Sequence, residues 1–67
     1  MDANQINEAI QVVLETFGMS AKKAAEAMGI SYDVFRQNRG GKNNNRFTEK
    51  HLEALKAYIR TKAGELS

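Results

Sequence analysis

The sequence has no cysteine, no proline and only one histidine among its 67 residues. Without cysteine, no disulfide and no zinc–thiolate site can hold the fold, which fits a reducing compartment. With His51 as the sole histidine, no cluster offers metal ligands at a useful spacing. No apolar run approaches the roughly 20 residues that span a bilayer. No charged stretch followed by an apolar one opens the chain. Alternating β-branched patterns are missing too, whereas Ala, Leu, Glu, Lys and Gln are common. These absences leave an all-helical chain as the expectation. The length implies a single domain, residues 1–67, able to remove only about 60% of its unfolded surface from water. Self-association would help so small a core.

The net charge of +2 carries little information, but its distribution does. Residues 1–19 hold Asp2, Glu8 and Glu15 with no basic residue, a balance of −3. Residues 20–46 hold Lys22, Lys23, Arg36, Arg39, Lys42 and Arg46 against Glu26 and Asp33, a balance of +4. Residues 47–67 come to +1. A basic middle beside an acidic start suits one face to a polyanion.

Four helices are predicted. The first runs from Ala3 to Phe17. Asp2 is its N-cap and Gln5 completes a capping box, while Ile6, Ala9, Ile10, Val13, Leu14 and Phe17 form one apolar stripe. Gly18 ends it, with Met19 over Leu14. The second starts at the N-cap Ser20 and ends at Gly29. Its shared face of Ala21, Ala24, Ala25 and Met28 is nearly all alanine, so another helix should cross it closely. The third follows at once, with Ser31 as N-cap and Ile30 stapled to Phe35. No room for a loop remains between them, which predicts a helix-turn-helix. On the third helix Val34, Phe35 and Asn38 occupy the inward arc, and Tyr32, Asp33, Arg36, Gln37 and Arg39 the outward one. Residues 40–46, GGKNNNR, form a loop. Phe47 and Thr48 then open a fourth helix near Glu49, with Leu52, Leu55 and Ile59 inward and Ala63 continuing that stripe. His51 is expected on the exposed first turn of this helix.

Ala25, Gly29 four residues later and apolar Phe35 six residues after that form a spacing with a family precedent. Residues 20–47 resemble the lambda-repressor-like, Cro-type helix-turn-helix DNA-binding domains, and Gly41-Lys42 followed by a polar basic loop to Phe47 is similar to the phage repressors among them. Small anti-CRISPR-associated repressors and antitoxins are similar in size. The resemblance implies that Tyr32, Asp33, Arg36 and Gln37 touch base edges, that Lys22 contacts phosphate, and that the loop with Lys42, Asn43, Asn44 and Arg46 contacts the DNA backbone. Asn38 departs from the family, which has an apolar residue there. Either the third helix ends early or the core is loosened at that point, and the aim of Arg39 depends on which. The chain also has room for one long helix after the motif, where many members carry two.

The residues support these roles unevenly. Lys22 and Lys23 stand in a first helical turn, where cations oppose the dipole. That placement makes sense if a phosphate sits there, although lysines also solubilise an alanine-rich helix. Lys23 points about 100° further round than Lys22. Arg36 can pair with guanine O6 and N7, Gln37 with adenine N6 and N7, and Asp33 can accept from cytosine N4. Asp33 equally suits the dipole at its helix start or an intrahelical pairing with Arg36. Tyr32 can pack on a thymine methyl or donate to phosphate, or simply be an amphipathic edge residue. Arg39 suits the dipole at its helix end and is a further phosphate candidate.

Enzymatic chemistry finds no support. Ser20, Asp33 and His51 are triad types in name only, and Gly40-Gly41-Lys42 lacks the strand–loop–helix setting of a P-loop. The expectation is an all-α, compact four-helix, lambda-repressor-like domain that needs no cofactor. It would bind a double-stranded DNA operator in the cytoplasm of a bacterial or phage-infected cell, as an autoregulatory repressor. A homodimer would read an inverted repeat with half-sites about 34 Å apart or a multiple of that. Its contacts are expected at Tyr58, Ile59, Lys62, Ala63 and Leu66. The competing expectation is a helical protein-binding module (an adaptor, inhibitor or antitoxin) without base readout.

Overall fold

Short polar side chains start the helices by taking up backbone N–H groups that have no helical acceptor. In the computed structural model, which describes residues 2–41 and 45–66 and side chains as far as 64, α1 spans Ala3–Phe17. The Asp2 carboxylate accepts from the Gln5 N–H at 2.9 Å, and the Gln5 side-chain oxygen accepts from the Asp2 N–H at 3.0 Å. The capping box is complete. Ser20 accepts from the Lys23 N–H at 3.1 Å to open α2, Ala21–Met28. Ser31 accepts from the Val34 N–H at 3.2 Å to open α3, Tyr32–Gly40. The last helix, α4, spans Glu49–Leu66. The chain is an all-α domain of four helices, with no strand among the described residues. None of these helices is long and apolar enough to cross a membrane. Lys42, Asn43, Asn44 and the side chain of Leu66 lie outside the described residues.

Between α2 and α3 only Gly29, Ile30 and Ser31 intervene. Gly29 has φ +73°, a conformation that glycine alone adopts without steric cost. The reversal lets the Ile30 N–H donate to Ala25 O at 3.0 Å. It also brings α3 back onto α2, whose other side packs on α4. Ala24 and Ala25 are buried at these crossings, as their small size requires for close approach. The core gathers Ile6, Ile10 and Leu14 of α1, Ala24, Ala25 and Met28 of α2, Phe35 of α3, and Phe47, Leu52 and Leu55. Phe35 and Phe47 meet edge to face with ring centroids 5.1 Å apart.

Three inward placements need correction. Phe17 is 60% exposed, because it is the last residue of α1 and the chain turns away at Gly18. Val34 is 39% exposed, because it lies about 100° round α3 from Phe35 and only the Phe35–Asn38 side of the helix is covered. Ala63 is exposed, whereas Ile59 is half-buried and packs against the core, so the apolar stripe of α4 runs out past Ile59. His51 is half-buried rather than exposed. Its Nδ1 accepts from the Thr48 N–H at 2.9 Å, the reach-back half of a capping box with histidine in the usual place of Glu or Gln. Its ring also meets Phe47 edge-on at 5.7 Å. His51→Ala should therefore lower stability by about 0.5–1.5 kcal/mol, and His51→Gln should recover most of that loss. Thermal melts of both variants check this, and an unshifted His51→Ala would show that the cap contributes nothing.

Candidate nucleic-acid interface

Lys22 stands in the first turn of α2 and Tyr32 in the first turn of α3. Packing of α3 on α2 brings those turns together. The Lys22 ammonium lies 5.9 Å from the centre of the Tyr32 ring. Arg36 follows Tyr32 by four residues, on the same side of α3, and its guanidinium lies 5.8 Å from the same centre. Both distances fall within the roughly 6 Å range of a cation–π contact. Two cations from two helices thus share one exposed aromatic ring. They do so beside the N-termini of both helices, where the dipoles are also positive. Neither cation forms an ion pair among the described residues.

Asp33 is exposed in the first turn of α3 and does not pair with Arg36. Of its suggested structural roles, the one left is its match to the helix dipole. Lys23 parts company with Lys22: its ammonium lies 3.6 Å from the Glu26 carboxylate, on a different face of α2. The structure therefore brings Lys22, Tyr32 and Arg36 together and leaves Lys23 outside that group.

The end of α3 resolves the question raised by Asn38. The helix does not stop there but continues to Gly40, with Asn38 buried in the core. Gly41 caps it at φ +69°. The Arg39 guanidinium lies 5.9 Å from the centre of the Phe35 ring, and its carbonyl accepts from the Asn7 amide at 3.3 Å, tying α3 to α1. Arg46 returns to the helix end, where one terminal nitrogen donates to Gly41 O at 2.7 Å and to Asn45 O at 2.8 Å. A Cβ at position 41 would lie 2.7 Å from that nitrogen. The positive φ is what calls for glycine there, since the flexible end of Arg46 could move aside. Arg46 thus has an intramolecular role in addition to the phosphate contact expected of it.

Two residues in this region escaped the sequence reading. Asn45 donates to the Gln37 side-chain oxygen at 2.9 Å, eight residues back across the glycine cap. Asn7 ties α1 to the end of α3. The first had a faint signal in the run of three asparagines, and the second had none.

On another face, Phe17, Met19, Tyr58, Ile59, Lys62 and Ala63 line an open, mostly apolar groove of about 600 Å³. Phe17 and Ile59 also border a second groove, on which Val13 and Arg60 lie. Four of the five residues expected at a dimer contact thus share one surface, with Phe17 added to them. No family model, curated protein or solved structure matches the chain.

Proposed function

We propose that this chain is a sequence-specific repressor that binds double-stranded DNA as a homodimer, with α3 in the major groove. The observation that carries the reading is the convergence of Lys22 and Arg36 on Tyr32. A cation at a helix start, opposed by the dipole and without a carboxylate partner, gains most when an anion arrives. Phosphate at Lys22 would set the depth of α3, and Arg36 and Gln37, one turn further along, would meet base edges. Tyr32 holds both cations in register and is itself exposed to the groove. Asp33, on the same turn, has its carboxylate free to accept from cytosine N4. Arg39 and the loop with Lys42, Asn43, Asn44 and Arg46 would carry backbone contacts at the far end of the helix.

One such helix reads only a few base pairs, so a twofold pair on an inverted repeat is the natural arrangement. The groove beside Phe17 and Tyr58 supplies the apolar surface for that pairing, and repression then follows from occupying a promoter. The bacterial or phage-infected cytoplasm is the proposed setting. The same groove also favours a second reading, a docking module for another protein.

Two substitutions test base readout. Arg36→Ala should cost about 1–3 kcal/mol of binding and relax one position of the site, whereas Lys22→Ala should weaken all sequences alike. Selection of bound duplexes from a random pool, followed by gel shifts, measures both. If neither substitution alters DNA binding, α3 is not the reading helix.

A further inference from the structure

We infer that Asn45 is a positioning residue that fixes the side-chain amide of Gln37, so that Gln37 meets its base as a hydrogen-bond donor and favours guanine over adenine. The inference rests on the DNA-binding reading and names the specificity of one of its contacts.

A glutamine free in solvent can present either end of its amide, because its last torsion is broad and roughly twofold. Recognition of adenine uses both ends: the oxygen accepts from N6 while the nitrogen donates to N7. Here the oxygen is turned toward Asn45, which takes up one of its two lone pairs. It accepts from the Asn45 side-chain nitrogen at 2.9 Å, in a half-buried setting where the bond is sheltered from water. The other end of the amide is the NH₂ group, with two donors and no acceptor. Guanine shows two acceptors in the major groove, O6 and N7, and adenine only N7 beside a donor. With its oxygen turned to Asn45, the amide presents its NH₂ group to the base, which matches guanine.

Asn45 is itself held. Its carbonyl accepts from Arg46 at 2.8 Å, and the same nitrogen of Arg46 donates to Gly41 O at 2.7 Å. Gly41 closes α3 at φ +69°, and its carbonyl anchors Arg46. The order Gly41, Arg46, Asn45, Gln37 is a continuous set of contacts from the helix cap to the reading side chain. Such a buttress presets the donor before DNA arrives, which reduces the ordering cost of the contact.

The substitution that distinguishes positioning from simple support is Asn45→Asp. A carboxylate has no N–H to give, so Gln37 must turn its NH₂ toward it and its oxygen outward. The preferred base should then change from guanine to one carrying an exocyclic amine, adenine or cytosine. Duplexes selected from a random pool by the wild-type chain, Gln37→Ala, Asn45→Ala and Asn45→Asp, each checked for helical content, give the comparison. Gln37→Ala should lose discrimination at one position, by roughly five- to 150-fold. Asn45→Ala should broaden the same position, and Asn45→Asp should invert it. In the free protein, the Gln37 side-chain amide resonances should shift in both Asn45 variants. The inference is overturned if the wild-type chain selects adenine at that position, or if both Asn45 variants keep the wild-type preference while Gln37→Ala loses it. If the folded wild-type chain enriches no sequence at all, the DNA-binding reading falls first and this inference with it.

Discussion

Phe35→Ala is expected to remove most of the chain's stability. Phe35 is fully buried and is the only apolar side chain that α3 contributes to the core. Its ring also makes the edge contact with Phe47. Truncating a buried phenylalanine costs about 3–5 kcal/mol, because the apolar transfer is lost and a cavity remains. A domain of 67 residues has about 3–10 kcal/mol in total. The melting temperature should fall by at least about 12 °C, at 4–8 °C per kcal/mol, and a weak wild type would lose its cooperative transition altogether. Val34→Ala is the internal control. It alters the adjacent residue, of similar apolar character, yet should cost less than about 1 kcal/mol because Val34 is exposed. Circular dichroism melts of the two variants decide the matter: equal shifts would mean that α3 is covered on a different side.

That contrast shows what a sequence can and cannot reveal here. Helix starts were legible because their signals are local: Asp2 with Gln5, Ser20 and Ser31 act within one turn of themselves. The glycine stops were legible for the same reason. Which edge of an apolar arc is covered depends on where neighbouring helices end, so Phe35 and Val34 read alike and Phe17 read as core. The histidine in the α4 cap was missed because its acceptor nitrogen does the work usually given to a Glu or Gln oxygen. In the candidate site, the spacing of Tyr32 and Arg36 was readable along one helix, and the divergence of Lys22 and Lys23 followed from their angle. The approach of Lys22 to Tyr32 required α2 to pack on α3. The hold of Asn45 on Gln37 joins side chains eight residues apart, which no periodicity encodes.

Affinity for duplex DNA is expected to fall by about 10³–10⁵ between about 50 mM and 200 mM salt, the loss associated with about six to ten phosphate contacts. Lys22, Arg39, Lys42 and Arg46 in each copy of a dimer would supply contacts of that number. Lys23 is left out of the set because its ammonium lies 3.6 Å from the Glu26 carboxylate and it lines the groove beside Phe17. The two lysines therefore make a matched pair. Lys22→Ala should reduce the slope of log affinity against log salt by about 0.9 per copy bound, while Lys23→Ala should leave it unchanged. Fluorescence anisotropy titrations at several salt concentrations give the slopes directly. The competing reading predicts a different sign of evidence. An apolar groove that docks a protein segment buries little charge, so its affinity should vary weakly with salt, and Phe17→Ala should affect it far more than Lys22→Ala. A DNA slope near zero, or equal effects from the two lysines, would remove the basis for placing phosphate at the start of α2.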